Sequence, residues 1–159
     1  MAVPVSDSPA WTVYCDGSAV PNPGRMGLGA LLIAPDGSRH ALSRATHSVG
    51  CNNEAELRAL TEALLAARAQ GAAAVQVYSD NSILVEQLGG RAVKPIERLA
   101  DLFDEARALL ASFERVALQW IPRHRNAEAD ALARAALGMA PKPAAKPRGK
   151  AGRRHKARA

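Results

Sequence analysis

The chain opens with three short strand-like runs before its first helical one, and that order limits the folds open to it. Trp11 to Cys15 reads as a strand, Leu28 to Ala34 as a second and Arg39 to Thr46 as a third. Pro21-Asn22-Pro23-Gly24 and Pro35-Asp36-Gly37-Ser38 are turn signals, the latter with Asp-Gly at its core. Strands joined by such turns pair antiparallel. From about Asn53 to Gln70 the spacing changes, and Leu57, Leu60, Leu64 and Ala67 fall on one face of a helix. Ala74 to Ser79 reads as a short buried strand, about Asn81 to Leu88 and Pro95 to Phe113 as helices, and Arg115 to Ile121 as a fifth strand. A last helix spans Asn126 to Leu137, with Asn126 as a good N-cap. The order is β-β-β-α-β-α-α-β-α. Strands reached through helices pair parallel, so the expected product is an α/β fold with a mixed sheet and helices on its faces.

A chain of 159 residues makes one domain the default. It is 48% hydrophobic but only 4% aromatic, so the core has to be mainly Ala, Leu and Val. No run approaches the ~20 apolar residues of a membrane helix. Met1 to Asp7 lacks the basic start and apolar stretch of a secretory signal, and residues 1–10 are expected to be a disordered leader. Cys15 and Cys51 are the only cysteines, too few for a structural zinc site, and are expected as reduced thiols of a cytoplasmic protein. The net charge of +6 is unevenly spread. Residues 138–159 hold eight basic groups and no acid, which leaves 13 basic against 15 acidic groups, a net of −2, in residues 1–137. The basicity therefore belongs to a Pro-, Gly- and Ala-rich tail expected to be disordered.

Four acidic residues stand in recognisable contexts: Asp16 in Tyr14-Cys15-Asp16-Gly17-Ser18, Glu56 in Asn52-Asn53-Glu54-Ala55-Glu56-Leu57, Asp80 in Val77-Tyr78-Ser79-Asp80-Asn81, and Asp130 in Asn126-Ala127-Glu128-Ala129-Asp130-Ala131-Leu132-Ala133. Two end strand-like runs and two lie at the starts of helix-like runs, an arrangement that can gather carboxylates at one edge of a sheet. Clustered carboxylates repel unless hard cations sit between them, and two such cations are a standard means of cleaving a phosphodiester. Each acid alone also has a plainer reading: Asp16 as a turn former, Asp80-Asn81 as a helix N-cap, Asp130 as a solvated helix face. Glu54 competes with Glu56, and at ~100° of turn per residue the two cannot both face one point.

Together, Tyr14-Cys15-Asp16-Gly17-Ser18 with Asn22-Pro23-Gly24, the Asn52-Asn53-x-x-Glu56 block, Ser79-Asp80 and Asn126-x-x-Ala129-Asp130-x-Leu132-Ala133 resemble ribonuclease H of type 1, and more broadly the RNase H-like superfamily, over about Trp11 to Leu137. The resemblance implies a five-stranded mixed sheet in the order 3-2-1-4-5, with helices on both faces and a catalytic domain spanning 11–137. Asp16 and Asp80 would end adjacent parallel strands, and Glu56 and Asp130 would lean over that edge. The implied activity is a monomeric endoribonuclease that hydrolyses the RNA strand of RNA–DNA hybrids, leaving 5′-phosphate and 3′-hydroxyl ends. Asp16 would bridge two Mg²⁺ ions, Glu56 and Asp80 would hold one, and Asp130 the other, with Mn²⁺ able to substitute. One ion would generate the attacking hydroxide and the other would stabilise the leaving 3′ oxygen.

By the same resemblance, His124 matches a loop histidine that assists proton transfer or product release, a role Arg123 and Arg125 could share. The backbone at Gly17 and Ser18 and the side chains of Glu56, Asn52 and Asn81 or Ser82 would face the RNA strand, known by its 2′-hydroxyls. Asn22, Cys51 and Asn53 would face the DNA strand. Cys51 stands where Thr or Ser is common and Glu54 where some members have Arg, changes expected to weaken a DNA phosphate pocket. The stretch from Asn81 to Glu114 has only Arg91, Lys94, Arg98 and Arg107 as bases, so the basic protrusion of several relatives is not expected, and the basic tail is expected to compensate. Two alternatives stay open: a catalytically idle nucleic-acid-binding module of the same fold, and a related nuclease that also acts on double-stranded RNA.

Overall fold

The computed structural model describes residues 7–89 and 94–141. Residues 1–6 of the expected leader and 142–159 of the expected tail lie outside the described residues. The elements are β1 (Trp11–Val20), β2 (Gly24–Ile33), β3 (Arg39–Gly50), α1 (Asn52–Ala69), β4 (Ala74–Ser79), α2 (Ser82–Leu88), α3 (Ala100–Ala111), β5 (Arg115–Trp120) and α4 (Ala127–Ala136). Short 3-10 turns at Glu97–Leu99 and Arg123–Arg125 precede α3 and α4. The strands form one five-stranded sheet in the order β3-β2-β1-β4-β5. β1–β2 and β2–β3 are antiparallel, whereas β1–β4 and β4–β5 are parallel. This is the mixed α/β sheet that the order of apolar runs leads one to expect.

The first hairpin is longer than its composition implies. Gly17 to Gly29 is rich in turn formers, yet β1 runs through to Val20 and β2 begins at Gly24, so only Pro21-Asn22-Pro23 stands between them. Gly17 and Gly29 lie inside paired strands, where they let helices approach. A Cβ at Gly17 would come 2.2 Å from the carbonyl carbon of Ala55 in α1, and one at Gly29 would come 2.4 Å from the carbonyl oxygen of Ala129 in α4. Gly17 pairs with Leu28 and Asp16 with Gly29. Successive pairs point to opposite faces, so α1 covers one face and α4 the other.

On its face, α1 buries Leu57, Leu60 and Leu64 together with Ala59, Ala63 and Ala67. They pack with Val13, Cys15, Leu32 and Val77 of the sheet and with Phe103 of α3. Each buried Leu or Phe contributes roughly 1.5–3 kcal/mol relative to exposure. The helix expected over Pro95 to Phe113 is shorter. Ile96 is extended, Leu99 (φ −110°, ψ 12°) departs from helical values before α3 starts at Ala100, and Phe113 lies beyond the last turn but is still buried. The third strand runs past Thr46 to Gly50, which pairs with Gly24.

Candidate metal centre

β4 ends at Ser79, opposite Cys15, but β1 continues to Val20. Beyond Cys15 the β4-side edge of β1 therefore has no strand partner. Gly17 and Ala19, two residues apart, present their N–H groups on that edge, and the first turns of α1 take both. Gly17 N–H donates to Glu56 Oε1 (3.3 Å) and Ala19 N–H to Asn52 Oδ1 (2.8 Å). An unpaired buried N–H costs about 1–3 kcal/mol, so the short partner strand itself favours Glu56 and Asn52 at the sheet edge. Asp16 follows the last parallel pair and Asp80 follows β4. One carboxylate oxygen from each of Asp16, Glu56 and Asp80 lies within 4.8 Å of the others. Asp130, in the first turn of α4, comes from the opposite face and makes a side-chain contact with Asp16.

Asp16 and Glu56 are 6% and 9% exposed. Burial, and then the charge of Asp80, pushes the Asp16 carboxyl from 3.8 up to about 7. Burial, and then the charge of Asp16, pushes Glu56 well above the usual carboxylate range. The hydrogen bond between these two lowers Asp16 and raises Glu56, and in the absence of a cation the pair holds protons more tightly than free carboxyls do. The Cys15 thiol is also pushed up, first by burial and then by Glu56, Asp16 and Asp80. A buried group of like charges is short of positive charge at neutral pH. Its donors are all carboxylate oxygens, and Cys15 Sγ is directed instead to the Tyr78 carbonyl at 3.7 Å. Such a donor set fits a hard divalent cation rather than a soft one.

The remaining residues singled out in the sequence sort into two groups. Glu54 faces away from the cluster and pairs with Arg58 at 2.8 Å. His124 is exposed on the turn between β5 and α4 and does not belong to the group of three. The asparagines form a connected polar line along the edge of the site. Asn22 Oδ1 accepts from Asn52 N–H (3.0 Å), Asn81 Nδ2 donates to Asn53 Oδ1 (2.9 Å), and Asn81 Oδ1 caps α2 at Leu84 N–H (3.1 Å). Ser18 is half-buried beside Asp16, and Ser82 is exposed in the first turn of α2.

Four further contacts were not legible in the sequence. Asn126 holds the N-cap position of α4, but its side chain makes no capping bond. Its Nδ2 donates instead to Asp80 Oδ2 (2.9 Å) and to the Cys15 carbonyl (3.0 Å). Trp120 Nε1 donates to the Asp80 carbonyl (3.2 Å), and Arg98 donates to Cys51 Sγ (3.1 Å). Asn126 sits inside a block already singled out for Asp130. For Arg98 no local pattern points to Cys51, 47 residues away.

The family described as "Reverse transcriptase-like" matches residues 14–136, a span that holds all four acids. The ribonuclease H of Cupriavidus necator is 31% identical over 138 residues, which cover 77% of this chain and 91% of that protein. The chain belongs to the ribonuclease H family. The bifunctional protein Rv2228c of Mycobacterium tuberculosis is 37% identical over 139 residues, 84% of this chain. This ribonuclease H-family chain spans 37% of that relative's length. Among solved structures, LC11-RNase H1 in complex with an RNA/DNA hybrid superposes with a TM-score of 0.72 at 29% identity, covering 80% of this chain and 96% of that one.

Proposed function

We propose that this chain is an endoribonuclease that hydrolyses the RNA strand of RNA–DNA hybrids, leaving 5′-phosphate and 3′-hydroxyl ends. The observation that carries the reading is the group of buried Asp16 and Glu56 with half-buried Asp80, one oxygen from each within 4.8 Å of the others, in a chain of the ribonuclease H family. The hybrid bound to a structural neighbour supports the choice of substrate. Among hard cations, Mg²⁺ suits an all-oxygen site of few carboxylates because it keeps several of its waters, and Mn²⁺ should substitute. Asp16, Glu56 and Asp80 would hold one ion, and Asp130, through its contact with Asp16, would share in a second. When bound, the ions supply Lewis-acid activation of the attacking water and neutralise charge on the leaving 3′ oxygen.

The chain's own residues prepare and surround that chemistry. Asp16 and Glu56 would have to lose their protons to hold a cation, because a ligating carboxylate must be ionised. The Gly17 and Ala19 peptides fix Glu56 and Asn52 against β1. The attacking water loses a proton and the 3′ oxygen gains one. His124, exposed on the turn before α4, would exchange that proton at the rim of the site. Gly17, Ser18, Asn52 and Ser82 would contact the RNA strand, and Asn22 and Asn53 the DNA strand.

The test is cleavage of a labelled RNA–DNA hybrid in Mg²⁺, beside single-stranded RNA, duplex RNA and duplex DNA, with Asp80→Asn as control. Cleavage of the hybrid, lost in the variant while hybrid binding persists, is expected. Duplex RNA cleaved at a similar rate would widen the substrate class. A hybrid left intact but tightly bound in both Mg²⁺ and Mn²⁺ would overturn the proposal in favour of a binding module.

A further inference from the structure

We propose that Asn126 is a positioning residue whose carboxamide holds Asp80 against the end of the β1–β4 pair, and so sets how tightly the carboxylate group takes up a divalent cation. The inference rests on the metal-site reading above and concerns a residue outside the carboxylate set.

Asn126 is 1% exposed. Its Nδ2 bridges two strands, reaching Asp80 Oδ2 just past β4 and the Cys15 carbonyl on β1, immediately before Asp16. Its backbone carbonyl accepts the N–H of Asp130 at 3.1 Å and so begins the first turn of α4. One residue is thus tied to the carboxylate of Asp80, to the residue preceding Asp16 and to the peptide of Asp130. Three of the four acids, carried at the ends of two parallel strands and in the first turn of α4, are referenced to a single side chain and its peptide.

The other half of the amide shows that this orientation is specific. Asn126 Oδ1 is buried and has no hydrogen-bond partner among the described residues. Turning the amide over would aim that oxygen at a carbonyl and a carboxylate, two acceptors, and would lose both bonds. A residue serving only as a cap would place its oxygen on an N–H of the first turn, as Asn81 does for α2. Asn126 forgoes that bond and leaves an acceptor buried without a partner. Locally unfavourable arrangements of this kind gather at functional sites. Trp120 holds the backbone carbonyl of Asp80 and Asn126 holds its Oδ2, so the carboxylate cannot swing out of the group without breaking the Asn126 bond. Partners that orient ligating carboxylates typically govern metal affinity or activity by about 10–100-fold.

The experiment is calorimetric titration of metal-free full-length protein with Mn²⁺, without nucleic acid, for the wild type and Asn126→Ala. The variant should bind Mn²⁺ about 10–100-fold more weakly. The Mg²⁺ concentration for half-maximal cleavage should rise in parallel, with KM for the hybrid unchanged at saturating metal. Melting curves with and without Mn²⁺ separate positioning from mere support of the fold. A smaller metal-induced rise in Tm is expected, whereas a purely structural role would lower both curves and preserve the rise. If Asn126→Ala does not fold, Asn126→Ser carries the same expectations. A folded variant with wild-type Mn²⁺ affinity would overturn the inference alone. Wild-type protein that takes up no Mn²⁺ would overturn the metal-site reading and this inference with it.

Discussion

Asp16→Asn should abolish cleavage and at the same time stabilise the metal-free protein at pH 8. The folded-state carboxyl titrates near 7 instead of 3.8, first because it is buried and then because Asp80 is beside it. The folded chain therefore holds a proton more tightly than the unfolded chain between about pH 4 and 7, and stability falls as pH rises through that window. At ~1.4 kcal/mol per unit, ionising Asp16 within the fold opposes folding by up to about 4 kcal/mol at pH 8. Asp16 and Glu56 titrate as a pair, so part of that cost belongs to Glu56. The neutral amide removes the Asp16 share, and the expected gain is about 2–4 kcal/mol at pH 8, falling to under half of that by pH 5. Urea unfolding in EDTA at the two pH values measures both. Adding Mg²⁺ should stabilise the wild type much more than the variant. A variant less stable than wild type at pH 8, or a gain equal at both pH values, would refute burial and repulsion as the source of the raised Asp16.

Three further outcomes are expected. Gly17→Ala would drive a methyl group to 2.2 Å from the Ala55 backbone, forcing α1 off the sheet and breaking the Glu56 contact; a stability loss of about 3 kcal/mol with near-complete loss of cleavage should appear in urea melts and turnover. Partial burial would raise the Cys51 thiol, but the Arg98 hydrogen bond and the Glu54 amide outweigh it and lower the thiol, whereas burial pushes Cys15 up. Iodoacetamide should therefore modify Cys51 well before Cys15, and Arg98→Ala should slow it; equal rates for the two thiols would contradict the assignment. Removing residues 142–159, which carry eight bases, should weaken hybrid binding and flatten its salt dependence with kcat unchanged. A KM that stays constant across a salt series would exclude the tail from binding.

The order of apolar periods was enough to foresee the mixed sheet, because hairpin turns and helical crossovers dictate strand direction. Asp16, Glu56 and Asp80 stood out because each lies in a short block whose polar residues serve the same sheet edge, and the structure brings their oxygens together. What could not be read locally was the use of residues that also fit a local rule. Gly17 reads as part of a turn-rich stretch, but it lies in a strand against a helix backbone, and nothing local marks Gly29 as the place where a second helix comes as close. Asn126 reads as a cap, but its amide is used on a carbonyl 111 residues away. A turn or cap rule asks what the neighbouring peptides require, and a long-range contact leaves no mark on them.

Strand length links these observations. β4 stops at Ser79 while β1 continues to Val20. Had β4 run on in register, its carbonyls would have met the N–H groups of Gly17 and Ala19, and the position of Asp80 would have been a ladder residue. Because it stops, those two donors are left for Glu56 and Asn52, and Asp80 is released to turn toward Asp16 and Asn126. Gly17 then lets α1 close onto the gap from one face, and Gly29, opposite Asp16, lets α4 bring Asp130 from the other. The concentration of negative charge is thus produced by backbone groups seeking partners at a truncated edge. The same edge keeps Asp16 and Glu56 buried, which raises their affinity for a proton and makes the metal-free site a source of instability that a cation can relieve.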